Sequence, residues 1–561
     1  MDSPRFKREN ALYLLAFGLA LALRLVRLGV FPLTDLEASA ALSALDVAGG
    51  LRTAIGPNPL YALLTGAFFF AFDSTNFFAR LAPALTGSLL VFAPLLFRHR
   101  LKPRASLILA FLVAFDPGLL ALSRQAGSSI FALTFLLLAW GFWERGQARW
   151  AGVCAALSLL GGPALWPGLF GLGVTWAILQ GVIYRSKTEP GSLSRAGWRD
   201  AWPPFLAVLV LLGTGFFLVP SGLGGIFNGL VDYLGGWRGS SGVAGWQLSL
   251  SLVFYQPLAL LFAVIGLARG WWVGSRRVIR LSVWMLAALV LAVFYPGRQV
   301  HDLAWMLIPL LALAALELSR HMDLRKVESA EAGGVAALTA ILLIFAWLDL
   351  AGLLWDMPGT ERGNLRMVML VGALLLLVVS LLLVAVGWSL RVARLGGVWG
   401  VVIALGLGTL AAGLGAGHIR AEYSSEMWDA GAYPAHADLL AATAGELSEW
   451  GVGIENGLPI TISGLDSPAV LWALHRHELT VVDALDASTA PAILVTPLQN
   501  EPVLAASYRG QDFTWNQRPA WDAVGFNEWL RWVVLREMPQ NFDTILLWAR
   551  SDLFIDAPAA P

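Results

Sequence analysis

The chain has 561 residues, 57% of them hydrophobic and 14% charged, with 25 tryptophans and a mean hydropathy of +0.67. A water-soluble fold cannot bury that much apolar side chain, so most of the chain takes lipid as its solvent, with indoles at the membrane–water boundaries. A formal net charge of zero without a long basic run argues against a nucleic-acid partner, and one cysteine, Cys154, excludes an internal disulfide.

In chain order, "MDSPRFKREN" followed by "ALYLLAFGLALALRLVRLGV" reads as a retained first span. The apolar run is too long for a cleavable leader, and "FPLTDLEA" offers no small-residue cleavage site. Crossing a hydrocarbon core of ~30 Å takes about 20 residues, fewer where an end is buried in protein. About thirteen runs qualify, near 11–30, 77–97, 105–122, 130–143, 150–165, 168–183, 203–220, 249–268, 279–295, 303–318, 334–354, 365–389 and 396–417. The run 59–72, "PLYALLTGAFFFAF", is too short to cross and reads as a helix lying at the interface. With that reading, 22 Lys and Arg residues fall on the inner side and 7 on the outer side. This bias places the N-terminus in the cytoplasm of a multi-pass plasma-membrane protein and everything after residue 417 outside. The spans hold almost no mid-membrane charge and no inverted repeat, which argues against a transporter.

From residue 418 the pattern changes. "DLLAATAGELSEW", "SPAVLWALHRH" and "GFNEWLRWVVLRE" read as helices, and "LPITISG", "LTVVDAL", "PAILVTP" and "DTILLWARSDL" as strands. The expected organisation is therefore a polytopic α-helical membrane domain, 1–417, followed by an extracytoplasmic α/β domain, 418–561.

In "TDLEAS", Asp35 and Glu37 follow the first span on the outer side. Thr34 with Glu37 three positions later fits a capping box, and apolar residues at 38, 41, 42, 45 and 48 keep helical spacing. A surface-lying helix and a carboxylate site are compatible readings of the same stretch. Arg124 in "LSRQAG" ends a span and serves either a phosphate or the lipid headgroups. Arg298 shares "YPGRQVHD" with His301 and Asp302, a polar cluster between two apolar spans that marks a site or an internal salt bridge. Arg80 reads as an anchor of the second span. His475 and His477 in "LHRHE" lack further ligands nearby, and "GLGG" at 222–225 lacks the strand-to-helix context of a phosphate cradle.

The acidic pair after the first span, the "PNPLY" helix and "FDSTNFFARLAPALTGSLLVFAPLLFRHRL" resemble the GT-C superfamily of membrane glycosyltransferases. Within it the pattern is similar to the family-39 group of protein mannosyltransferases and the aminoarabinose transferase of lipid A, and most of all to the flippase activity-associated glycosyltransferase-like subgroup. "ASLILAFLVAFDPGLLALSRQAGSSIFAL" resembles that family's third span, outer turn and fourth span, and "W..RWVVLRE…DTILLWARSDL" its C-terminal pattern. The resemblance implies a GT-C fold that uses a polyprenyl-phosphate-linked sugar and a lipid, glycan or protein acceptor at the outer face, with inversion at the anomeric carbon. It implies Asp35 or Glu37 as base and Arg124 and Arg298 on the donor phosphate, with Ser129, His301, Asp302, Asn58 and Tyr61 in support.

The sequence also departs from that pattern. Leu36 separates acids that are adjacent in the family, and Ser129 stands where the family carries its second acid. A serine holds a divalent cation far less well than a carboxylate, so the cofactor is left unassigned and metal-assisted catalysis is disfavoured. The same departure supports the alternative expectation, an inactive GT-C-fold protein that binds lipid-linked glycans or scaffolds a membrane complex.

Overall fold

The computed structural model describes residues 4–50, 56–183, 195–217, 219, 222–239, 243–321, 329–355, 360–420, 425–429, 431–498 and 503–554. Arg52, the basic stretches 184–194 and 322–328, the end of the run 203–220 and the tail after Phe554 lie outside them.

Among the described residues, six helices are long and apolar enough to cross a membrane, or eight if each of two bent pairs counts as one span. The thirteen expected spans are therefore not all present as membrane-length helices. The run 105–122 is Pro103–Phe115 and Pro117–Ser123, bent by 56°, and 249–268 is Gly245–Tyr255 and Pro257–Trp272, bent by 96°. Both breaks fall at a polar residue before proline, Asp116 and Gln256. Proline supplies no amide hydrogen and drives the preceding residue out of the helical region. Asp116 then caps the second half of its pair by accepting from the Leu119 amide. Other expected spans appear as shorter apolar helices, Ile130–Glu144 and Ala148–Leu159. The run 59–72 forms Pro59–Ala71, 13 residues long and so about 20 Å at 1.5 Å per residue. "GLGG" opens the helix Gly222–Gly235 rather than a loop.

The bundle also buries charge that the hydropathy pattern hides. Arg24, at the end of the helix Pro4–Leu25, is fully buried and donates to the carbonyls of Ala20 and Ala114. Asp116 and Gln256 are buried as well, with Gln256 against the Asp116 carboxyl. Three polar residues at the ends or breaks of separate helices thus meet inside the apolar bundle, which corrects the expectation of nearly charge-free spans.

At one end of the bundle, Arg98 pairs with Glu9 and Arg100 with Glu144. The opposite end carries the C-terminal unit, a five-stranded sheet in the order β2-β1-β3-β5-β4. β1 (Ile460–Ser463) pairs in parallel with β2 (Leu479–Val482) and β3 (Ile493–Pro497). β5 (Gln540–Arg550) runs antiparallel to β3 and to β4 (Tyr508–Pro519). Period-2 alternation sends Ile493, Val495, Ile545 and Leu547 into one core, against Leu440 and Ala444 of the helix Ala437–Val452. It sends Leu494, Leu546 and Trp548 to the other face. Three of the four expected strands lead into this core and the fourth, β2, sits at the edge. β4 was not expected, because "YRGQDFTWNQRP" is largely polar and only Tyr508, Phe513 and Trp515 are buried.

The main core runs without a break from the bundle into the sheet unit. Trp532, on the helix Phe526–Leu535, is its joint: fully buried, it meets Phe254 and Tyr255 of the bundle edge-on or tilted, and its indole N–H donates to the Ser425 carbonyl. Truncating a buried tryptophan costs roughly 3–5 kcal/mol. Trp532→Ala is expected to lower the melting temperature of the detergent-solubilised protein and to open the segment 425–433 to limited proteolysis.

Candidate functional site

The helix Asp35–Ala48 begins with the capping box that the sequence suggests. The Glu37 amide donates to Thr34 Oγ1 at 3.5 Å, and the Thr34 amide donates to Glu37 Oε2 at 3.2 Å. Glu37 does more than cap. Arg80, from the helix Asn76–Leu89, grips it as a fork, Nε to Oε1 at 2.8 Å and Nη2 to Oε2 at 2.7 Å. The Ala126 amide donates to Oε1 at 3.0 Å, and Arg80 also donates to the carbonyls of Phe31 and Pro32. Both carboxylate oxygens are thus saturated, and Glu37 is 2% exposed. Burial pushes its pKa upward, but the Arg80 guanidinium and the two backbone amides outweigh that and hold the carboxyl below its ordinary value.

Asp35 points elsewhere. Its Oδ1 accepts from Ser467 Oγ at 2.6 Å and from the Ala469 amide at 3.0 Å, so it caps the helix Pro468–Ala473 of the sheet unit from outside. Trp472 Nε1 to Asn76, Ser74 to His475, and Arg476 to Asp73 complete this junction. Arg124 Nη1 donates to the carbonyls of Leu23, Arg24 and Val26 and closes the C-terminal end of the first helix. Arg298 donates from Nε to the Val243 carbonyl and from Nη1 to those of Val293 and Tyr295, tying two loops together. The four residues expected to carry base and phosphate contacts are therefore engaged in holding backbone, and none of them lines the main cavity.

That cavity, of about 410 Å³, opens beside the helix Asp35–Ala48 and is lined by the five residues expected in support: Asn58, Tyr61, Ser129, His301 and Asp302. Asn58 Nδ2 donates to the Gly127 carbonyl at 3.0 Å. Its side chain occupies the space that a Cβ at Gly162 would fill, 1.5 Å from Oδ1, and Gly162 has φ +97, so only glycine fits there. The buried Tyr61 hydroxyl donates to the Ala79 carbonyl. Ser129 Oγ is buried with no hydrogen-bond partner among the described residues. Asp302 Oδ2 accepts from the Gln299 amide at 2.9 Å.

Sequence reasoning missed the far wall. Tyr233 and Tyr295 stack with centroids 4.9 Å apart, the Tyr295 hydroxyl donates to the Tyr233 carbonyl, and both line the cavity with Asp232. "YPG" at 295–297 was the available signal, since a Cβ at Gly297 would lie 3.1 Å from Gly236. Among the described lining residues there is no Lys or Arg, and no three His, Cys, Asp or Glu side chains in the described chain gather closely enough to hold a metal ion. A second hollow, of about 30 Å³, holds Arg80, Arg124, His418, Asp429 and Tyr433. There His418 Nε2 meets Asp429 Oδ1 at 2.6 Å. Burial pulls the His418 pKa down, but the Asp429 carboxylate overrides it and raises the value.

A polytopic helical bundle that carries a mixed sheet unit at one end, with a cavity beside the helix Asp35–Ala48, is a fold this chain shares with a solved membrane-protein structure. A solved structure of ArnT, a GT-C glycosyltransferase from Cupriavidus metallidurans, bound to undecaprenyl phosphate, shares it with a TM-score of 0.55 and 14% identity, covering 98% of this chain and 99% of that one. The apo ArnT structure aligns with a TM-score of 0.48 and 15% identity over 86% of this chain and 92% of that one. No family model and no curated protein matches the sequence.

Glu37→Gln removes one member of a buried ion pair, a loss of roughly 3–5 kcal/mol, and is expected to lower the melting temperature sharply. Because the folded pKa of Glu37 is depressed, its contribution is present above the unfolded value of ~4.3 and fades as pH falls through the folded one. His418 behaves in the opposite sense: its raised pKa gives stability that is present below ~6.5 and lost as pH climbs through the folded value. Melting curves between pH 5 and 9 should therefore show a decline on the alkaline side that His418→Gln flattens. Asp35→Ala removes a helix cap, at about 0.5–2 kcal/mol, and should speed proteolysis within the helix Pro468–Ala473 while leaving the bundle intact.

Proposed function

We propose that this protein is a membrane glycosyltransferase that moves a sugar from a polyprenyl-phosphate-linked donor to a lipid, glycan or protein acceptor, with inversion at the anomeric carbon. The observation that carries the reading is the cavity with Asp232, His301 and Asp302 on its wall, set within an ArnT-like fold at the end of the bundle that bears the sheet unit. The distribution of Lys and Arg along the sequence supports this end as the outer one, with 1–417 as the membrane domain and 418–561 outside. A prenyl carrier anchored in that leaflet presents its phosphate at this depth.

Transfer needs a group that takes the acceptor's proton as the new C–O bond forms and the bond to phosphate breaks. Asp302 suits this role, because it lines the cavity and Gln299 engages Oδ2 but not Oδ1 among the described residues. His301 stands beside it on the same wall. Asp35 and Glu37 become positioning residues: Glu37 holds the turn that carries Ser129, and Asp35 holds the sheet unit. Arg124 and Arg298 donate to backbone carbonyls outside the cavity, so they act on a phosphate only through their charge, from beside the lining residues Gln125 and Gln299.

The saturation of both Asp35 and Glu37, with Ser129 in place of an acid, favours a second reading, a protein that binds lipid-linked glycans without turning them over. The two separate on one experiment. In liposomes containing a polyprenyl-phosphate-linked sugar, the enzyme reading expects turnover that Asp302→Asn lowers by about 10²-fold or more. Turnover equal to wild type in Asp302→Asn removes that residue from the chemistry. Donor binding without turnover in the wild type supports the second reading.

A further inference from the structure

Between the bundle and the sheet unit lies another cavity of about 400 Å³, built from three separate parts of the chain. Gln247 and Gln299 come from the bundle, Asp429 from the linking segment, and Arg518, Trp521 and Asp522 from β4 and the turn after it. Gln299 lines this cavity and the proposed reaction chamber alike, so the two meet at one side chain. Arg518 and Asp522 make no ion pair or side-chain hydrogen bond among the described residues, although both face a cavity with its own charged wall. Trp521 is held in place by stacking on Trp529, with centroids 5.3 Å apart, and by an edge contact with Trp532.

This combination has a specific chemical complement. Carboxylates accept from neighbouring hydroxyls, glutamine amides both donate and accept, a guanidinium donates in pairs, and a fixed indole offers a flat apolar face. A pyranose carries all the matching features, a rim of hydroxyls and a C–H face. An anionic headgroup fits poorly, because it would meet three lining carboxylates, Glu426, Asp429 and Asp522, and one lining cation, Arg518. A peptide would need an open strand edge or an apolar side-chain pocket; here the edge strand β4 is already bridged at Gln517 by Tyr433. The volume lies at the lower end for ligand sites and suits one or two sugar units.

We propose that this cavity binds a saccharide, and that it is the acceptor glycan, held by the sheet unit with its reacting hydroxyl directed past Gln299. The acceptor assignment rests on the transferase reading; the saccharide site does not. The test uses the full-length protein in nanodiscs and saturation-transfer NMR with a panel of methyl pyranosides and neutral disaccharides, with glycerol 1-phosphate and an unrelated peptide as competing probes. At least one sugar is expected to bind, with affinity reduced about tenfold by Asp522→Asn and by Arg518→Gln. These are solvent-facing changes that should preserve the fold, whereas Trp521→Ala disturbs its tryptophan neighbours and is read only alongside them. Sugar binding that depends on these residues in a protein without turnover keeps the site and sinks the transferase reading. No sugar binding, binding indifferent to both variants, or preferential binding of the phosphate or the peptide overturns the proposal.

Discussion

Everything at the sheet-bearing end of the molecule is organised around the Arg80–Glu37 fork. Two charges leave water together, which costs several kcal/mol per ion unless nearly every lone pair and N–H finds a partner. Here the requirement is met by drawing in backbone from Phe31, Pro32, Thr34 and Ala126. The fork therefore fixes the exit of the first helix, the start of the interfacial helix and the turn before Ser129 in one step. A carboxylate that looks reactive in the sequence is thus fully used in holding the backbone beside the cavity.

How much of this was legible depends on how far apart the partners lie in the chain. The capping box is a three-residue relationship and could be read directly. So could the sheet strands with alternating apolar residues. β4 could not, because its apolar alternation is confined to Phe513 and Trp515 in an otherwise polar edge strand. Arg80 looked like a lipid anchor because its partner lies 43 positions earlier. The bends at Asp116 and Gln256 were written in the sequence as polar–proline pairs, yet hydropathy windows average across them. The residues expected in support, Asn58, Tyr61, Ser129, His301 and Asp302, line one cavity, although no geometric argument was available to join them. The principal ones, Asp35, Glu37, Arg124 and Arg298, turned out to be the fasteners of the loops that carry them.

Sharing an architecture with ArnT at 14% identity is physically reasonable. Lipid exposure and helix packing constrain only the apolar character and size of most side chains, so sequence can drift while the bundle persists. Polar groups at the rim are under a different constraint, set by whatever must be held there. In this chain the cations Arg124 and Arg298 are spent on carbonyls, and the cavity wall carries Asp232 and Asp302 instead.

The contact between Asp35 and Ser467 joins positions 432 residues apart. At translation speeds of about 5–20 residues per second, the later one emerges roughly 20–90 s after the earlier. For that interval the interfacial helix carries a bare carboxylate and the half-exposed Leu36 toward water, with nothing docked above them. A chain that stops short of Ser467 has its bundle but nothing to dock on Asp35. The seat for the sheet unit is thus made long before the segment that fills it.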